Sequence, residues 1–186
     1  MTFIYIPNFV EDPNTIFEKL YNELNWVKNG VTPRREYYCN DTNVPYTYGS
    51  KEFPKTYFPD VYHPEIIKIR KKLEIELDTL LDVCFLNCYE DNKDHLGWHA
   101  DDSPEMDHNR PIITISLGAE RKIFFKERGV GVNTDNTPKK SIPLLLENGS
   151  ACIMPAGMQN THLHKIPKHD SPCGPRISLT FRGFVK

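Results

Sequence analysis

No apolar run in this 186-residue chain approaches the roughly 20 residues that a membrane-spanning helix needs. The first residues also lack a basic stretch leading into an apolar signal core. A soluble, intracellular protein that makes no use of a membrane is the expectation. Net charge is nearly absent too: 23 Lys and Arg against 25 Asp and Glu leave a formal −2. That excludes a globally basic nucleic-acid binder, so any such surface must come from local Lys and Arg patches. The five cysteines, Cys39, Cys84, Cys88, Cys152 and Cys173, contain no Cys-x-x-Cys pair and no zinc-ribbon spacing. They read as free thiols packed as small hydrophobes in a reducing compartment. Internal repeats, low-complexity tracts and long linkers are missing as well, which leaves one domain and, by expectation, a monomer.

What is present begins with Trp98-His99-Ala100-Asp101-Asp102. His99 and Asp101 stand two apart and face the same way from an extended segment. Two imidazoles and one carboxylate on one side of a metal leave adjacent positions open, the ligand set of non-haem Fe(II) oxygenases. Structural zinc would want a closed set of four, which the chain does not offer; a hydrolytic zinc is the alternative left open. The second imidazole comes from His162 or His164, which share one strand face and which periodicity does not separate. His63, His95, His108 and His169 read as loop or surface residues.

Pro175-Arg176-Ile177-Ser178-Leu179-Thr180-Phe181-Arg182 alternates with the period of a half-buried strand. Ile177, Leu179 and Phe181 share one face; Arg176, Ser178, Thr180 and Arg182 share the other. Two guanidiniums projecting the same way call for an anion, and a dicarboxylic acid offers one carboxylate to each. Val83 to Tyr89 alternates likewise and sets Asn87 and Tyr89 on one face with Phe85. Further short strands are expected at Ile112 to Leu117, Lys122 to Phe125, Ala151 to Met154 and His162 to Ile166, the pattern of a sandwich or jelly roll. Gly129 to Asn136 reads as a hairpin loop.

Upstream, Asp12-Pro13 signals a helix start with Asp12 as cap, and Ile16, Phe17, Leu20 and Leu24 form its apolar face. Asn29-Gly30 reads as a turn. Pro33, Pro45, Pro54 and Pro59 break residues 32–60 into short extended pieces. His63-Pro64 opens a second helix through about Leu81, with Ile66, Ile69, Leu73, Leu77 and Leu80 as a stripe. Its Lys68, Arg70, Lys71 and Lys72 read as a solvated face, and Trp98 reads as core.

Taken in order, Asn87-x-Tyr89, His99-x-Asp101, His164 and Arg176-x-Ser178-Leu179-Thr180-Phe181-Arg182 resemble the AlkB family of Fe(II)/2-oxoglutarate-dependent nucleic-acid dealkylases. The likeness runs from Tyr5-Ile6-Pro7-Asn8-Phe9 to Phe184. It implies an α+β, mainly β fold: a double-stranded β-helix, or jelly roll, with N-terminal helices packed on one sheet. Residues 1–82 would then be a helical and substrate-lid extension and 83–186 the jelly-roll core. The resemblance also selects His164, which precedes the apolar-Pro pair Ile166-Pro167, as the second histidine. Fe(II) would sit on His99, Asp101 and His164, with 2-oxoglutarate and O2 as cosubstrates. Asn87, Tyr89, Arg176, Ser178 and Arg182 would line the 2-oxoglutarate site, Arg176 with Tyr89 at the distal carboxylate and Arg182 with Asn87 at the metal-proximal end. A carboxylate just past the metal aspartate contacts the base in that family, which makes Asp102 the base-reading candidate. Pro45-Tyr46-Thr47-Tyr48 resembles its substrate lid, with Tyr46 and Tyr48 as stacking aromatics, one of which could equally be core. Arg34 and Arg35 would meet phosphates.

The implied activity is oxidative dealkylation of N-alkylated bases, of the 1-methyladenine or 3-methylcytosine type, in DNA or RNA. Single strands avoid most of the cost of extruding a base and are the expected substrate. A 2-oxoglutarate-dependent hydroxylase or demethylase of a protein or small molecule, and a non-catalytic nucleic-acid-binding module, are the alternatives.

Overall fold

Antiparallel strands with period-two patterning build two sheets that face each other across the site. The computed structural model describes residues 3–28, 32–50, 53–131 and 140–185, with the side chains at 48–50 and 53 outside that description. The elements in chain order are β1 (Ile4–Ile6), α1 (Pro13–Glu23), β2 (Val27–Lys28), β3 (Arg35–Asn40), β4 (Tyr46–Ser50), β5 (Phe53–Tyr57), α2 (Pro64–Leu77) and β6 (Val83–Tyr89). They continue with β7 (Leu96–His99), β8 (Ile112–Gly118), β9 (Arg121–Glu127), β10 (Ile142–Leu146), β11 (Ala151–Met154), α3 (Met158–Thr161), β12 (His162–Ile166) and β13 (Arg176–Arg182).

The major sheet runs β1-β11-β8-β13-β6-β3-β2, the minor sheet β10-β9-β12-β7, and β4 pairs with β5 as a separate hairpin. This is the jelly-roll arrangement, mainly β, that the strand spacing predicts. Alternation gives the major sheet two unlike faces. On one, Cys84, Leu86 and Cys88 of β6, Ile113, Ile115 and Leu117 of β8, and Ile177, Leu179 and Phe181 of β13 are buried against Leu20 of α1 and Ile66, Ile69 and Leu73 of α2. The N-terminal helices thus cover that sheet from outside. The other face looks toward the minor sheet, where Tyr89, Ile112, Ile123, Phe125, Leu146 and Ile166 form a second apolar cluster. A third, of Tyr38, Tyr46, Val83, Phe85, Met106 and Phe184, sits at the hairpin end. Among the described residues no helix is long and apolar enough to cross a membrane.

Several local expectations need correction. Pro13 does open α1, but Asp12 adopts a left-handed backbone, φ 50°, and its side chain makes no capping bond. Helix α2 stops at Leu77, because Asp78 turns left-handed and its N–H returns to the Glu74 carbonyl. The apolar stripe therefore misleads beyond that point: Leu80 is exposed, while Leu81 swings into the core. Trp98 is not core; it lies half-buried on the outer side of β7, with the Lys126 and Lys165 ammoniums 4.9 and 4.8 Å from its ring centre. Strands β1, β2, β7 and β10 are additions to the strands expected from sequence, and β1 to β3 join the major sheet, so the N-terminal segment completes that sheet as well as covering it. On α2, exposed Lys68 pairs with Glu65, as suits a solvated face, but Arg70 is largely covered, its guanidinium lying over the Tyr62 ring and pairing with Asp41. The Asn29-Gly30 turn and most of the loop after Gly129 lie outside the described residues.

Candidate metal and cosubstrate site

Strand pairing sets the two histidines side by side. His164 of β12 stands directly opposite His99 at the end of β7, so both project from the same face, with ring centres 4.1 Å apart. Asp101 follows two residues later and turns its carboxylate between them: Oδ1 lies 3.9 Å from His99 Nε2, and Oδ2 lies 3.7 Å from His164 Nε2. These separations are too long for hydrogen bonds and suit three atoms grouped about a shared centre. One ligand atom from each residue falls within 4.8 Å of the others. The His99 Nδ1 lies 2.9 Å from the Gly97 carbonyl; donating there places the proton on Nδ1 and leaves Nε2 as the ligand.

The protonation states agree with metal ligation. Burial, aided by the neighbouring His99, lowers the His164 pKa to about 3. His99 is also lowered, by burial first, despite the pull of Asp101. Burial alone would raise the Asp101 carboxyl, but Arg182, with His164 and His99, holds it below the usual carboxylate value. Arg182 Nη2 approaches Asp101 Oδ1 at 2.7 Å. Two neutral imidazoles beside an ionised carboxylate match what a divalent ion requires. Open positions and a mixed N/O set favour Fe(II) over structural zinc.

A cleft opens on this cluster, lined by Asn87, Tyr89, Arg176, Ser178 and Arg182 among others. Asn87, Ser178 and Ser116 form one row across β6, β13 and β8. Arg176 is fully buried, and burial lowers its pKa to about 10. Its Nη2 donates to Ser116 Oγ at 2.8 Å, and its guanidinium lies 5.3 Å from the Tyr89 ring centre. Its Nε and Nη1 have no hydrogen-bond partner among the described residues. Buried cationic donors left so are costly, and an entering carboxylate satisfies both. The residues present therefore fit both a divalent metal and a carboxylate cosubstrate.

Other contacts differ from the pairings the resemblance implies. Asn87 Oδ1 accepts from Arg34 Nε at 2.6 Å, while Arg182 binds Asp101 and donates from Nη1 to the Tyr46 hydroxyl at 3.2 Å. Tyr46 is buried, lines the cleft, and also receives the Ser103 hydroxyl at 3.0 Å. The Tyr48 side chain lies outside the described residues. Arg34 also lines the cleft, buried and paired at 2.9 Å with Glu36, which in turn holds Lys55 and the Tyr57 hydroxyl. Arg35 does not join it. Arg35 opens β3 one position after Arg34 and turns the other way, its guanidinium lying over Tyr21 and Trp26, with Nε 3.3 Å from Glu90. Asp102 is half-exposed beside the cluster and pairs with Arg128 at 2.5 Å.

Sequence reasoning missed Glu36, Ser116, Arg128 and Gln159. Ser116 carried a signal, since Thr114 and Ser116 are the polar alternates of an apolar strand. Arg128 and Gln159 are joined to the site by contacts distant in sequence, and Glu36 through its ion pair with Arg34, two residues before it.

Known sequences and structures agree with this geometry. The pattern of the 2OG-Fe(II) oxygenase superfamily matches residues 5–182. The alpha-ketoglutarate-dependent dioxygenase alkB homolog 3 of Bos taurus is 28% identical over 95% of this chain and 64% of its own length. The DNA oxidative demethylase ALKBH2 of Bos taurus is 26% identical over 92% of the chain, again 64% of its own length. The chain thus spans a little under two thirds of these relatives. The solved structure of OsALKBH1 superposes with a TM-score of 0.66 at 16% identity, covering 97% of this chain and 96% of that one, and shares the fold.

Proposed function

We propose, from the premise that this chain belongs to the AlkB family within the 2OG-Fe(II) oxygenase superfamily, that it oxidatively dealkylates N-alkylated bases in single-stranded nucleic acid. The observation that carries the reading is one cleft holding both the His99, Asp101 and His164 cluster and a buried Arg176 with two donors that have no partner among the described residues. When bound, iron with O2 and 2-oxoglutarate supplies the oxidation of an N-alkyl carbon, with formaldehyde and succinate as products.

The chain's own residues do the rest. His99 and His164 stay neutral in their buried setting, and Asp101 stays ionised against Arg182. Arg176 fixes the far carboxylate of the cosubstrate, and the Tyr89 ring beneath it keeps that end dry. Asp102, half-exposed next to Asp101, is the residue that accepts from a base amino group in this reading. Arg34 and Tyr46 shape its wall. The chain's near-neutral charge, with Arg34 paired to Glu36 inside the cleft, supports single-stranded substrate.

Mass spectrometry tests this on DNA and RNA oligonucleotides carrying 1-methyladenine or 3-methylcytosine, incubated with protein, Fe(II), 2-oxoglutarate and O2. Loss of one methyl mass with wild type and none with Asp101→Ala is the expected result. Succinate release without any change in the oligonucleotides would keep the oxygenase and overturn the nucleic-acid substrate.

A further inference from the structure

Asp101 lies two residues past the end of β7, where no strand supplies its backbone N–H with a partner. That partner is the side chain of Gln159, whose Oε1 accepts from Asp101 N at 3.0 Å inside the protein. Gln159 belongs to α3, the short helix that leads into β12 and His164. Its Nε2 lies 3.4 Å from the Met154 sulfur, a weak acceptor, so the demanding contact of this buried amide is the one to Asp101.

The opposite side of Gln159 is held as well. Arg128 donates from Nε and Nη2 to the Gln159 carbonyl at 3.2 and 2.9 Å, and its own N–H binds the Thr161 carbonyl at 2.8 Å. The same Nη2 reaches Asp102 Oδ2 at 2.5 Å. The contacts close a ring: Asp101 to the Gln159 side chain, the Gln159 backbone to Arg128, Arg128 to Asp102, and Asp102 back to Asp101 through the peptide bond.

We propose that Gln159 is a positioning residue for the metal carboxylate, and that Arg128 ties the substrate-facing Asp102 to it through this ring. The proposal rests on the metal-site reading above. Half-exposed Asp102 is the part of the ring that a substrate reaches. A substrate that claims its carboxylate competes with Arg128 and loosens the clamp on α3, so occupancy of the substrate edge is felt at Asp101 without any contact to the metal.

Mn(II) titration of the metal-free protein, followed by electron paramagnetic resonance of free Mn(II), provides a readout independent of turnover. Partners that orient a metal ligand typically change affinity about 10- to 100-fold when removed. Gln159→Met, which keeps length and loses the acceptor, should weaken Mn(II) by about that factor. Gln159→Glu, which keeps an acceptor oxygen, should recover most of it, and a merely structural role would not separate the two. Should Gln159→Met not fold, Gln159→Asn, one methylene too short to reach, makes the same comparison. Arg128→Met, which opens the ring but keeps the Asp101 to Gln159 contact, should weaken Mn(II) by a smaller factor than Gln159→Met and reduce the stimulation of succinate release by a methylated oligonucleotide. Wild-type Mn(II) affinity with undiminished stimulation in Arg128→Met overturns the part given to Arg128. Wild-type Mn(II) affinity in Gln159→Met overturns the positioning role while leaving the metal site intact. Failure of the wild type itself to bind Mn(II) overturns the metal reading, and this proposal with it.

Discussion

The two faces of β13 are equally buried and chemically opposite. Ile177, Leu179 and Phe181 point into the helix-covered core, and Arg176, Ser178, Thr180 and Arg182 point toward the minor sheet, with every one of the seven buried. The first face satisfies itself: hydrocarbon meets hydrocarbon, and nothing further is needed. The second does not. Arg182 has Asp101 and Tyr46, but the Arg176 Nε and Nη1 have no hydrogen-bond partner among the described residues, Nη2 alone being held by Ser116. Burying a cation on such terms works against folding, and the compensation has to come from a ligand. What separates core from site in this fold is therefore the satisfaction of polar atoms, since burial is the same on both sides.

Substitutions on the two faces should break in opposite ways. Arg176→Met is expected to cost the larger effect, about 2–5 kcal/mol of 2-oxoglutarate binding, measured by calorimetry on Mn(II)-loaded protein without oxygen. In the ligand-free protein the same change should leave the thermal midpoint unchanged or higher, because it removes a poorly partnered buried charge. A lower midpoint with unchanged 2-oxoglutarate affinity would make Arg176 a structural residue. Leu179→Ala should do the reverse. It opens a cavity in the helix-facing core and should cost about 3 kcal/mol of unfolding free energy in urea titrations, with 2-oxoglutarate affinity near wild type.

The same strand shows why some of this is legible in sequence. Strict alternation in β6 and β13 assigns faces residue by residue, so the order of amino acids alone groups Asn87 with Tyr89 and Arg176 with Arg182. The His99-x-Asp101 spacing is equally local. Periodicity fails where a single step or a backbone twist decides. Arg34 lies in the bend before β3 and enters the cleft, whereas Arg35, the first residue of β3, turns away from it. Which of the two faces inward is set by where the strand begins to pair. Apolar Leu80 prolongs the α2 stripe in the sequence, but the left-handed Asp78 ends the helix first. Gln159 and Arg128 meet Asp101 and Asp102 only because β12 lies between β9 and β7, and pairing at that range leaves no local pattern. Trp98 shows the converse: a large aromatic beside the metal pair invites a core assignment, yet its place on an edge strand turns it outward under two lysines.

Acid should separate the faces most gently. His164 carries a pKa of about 3 in the fold against an ordinary value of 6.5, burial being the main cause, and His99 is lowered as well. Below about pH 6.5 the unfolded chain takes up protons that the folded cluster refuses, so the metal-free protein should keep full stability above that point. It should then lose stability progressively as pH falls from about 6.5 toward about 3. Urea midpoints measured in a chelator between neutral and mildly acidic pH would show this slope. His164→Leu should flatten it, since the variant has no imidazole to protonate at that position. Leu179→Ala should only lower the whole curve by a constant amount, because Ile177, Leu179 and Phe181 carry no titrating group. If His164→Leu keeps the full slope, the proton uptake lies elsewhere and His164 is not held neutral by its burial. If Leu179→Ala changes the slope, the two faces of β13 are coupled through the strand, and the division between core and site drawn from their polar partners does not hold.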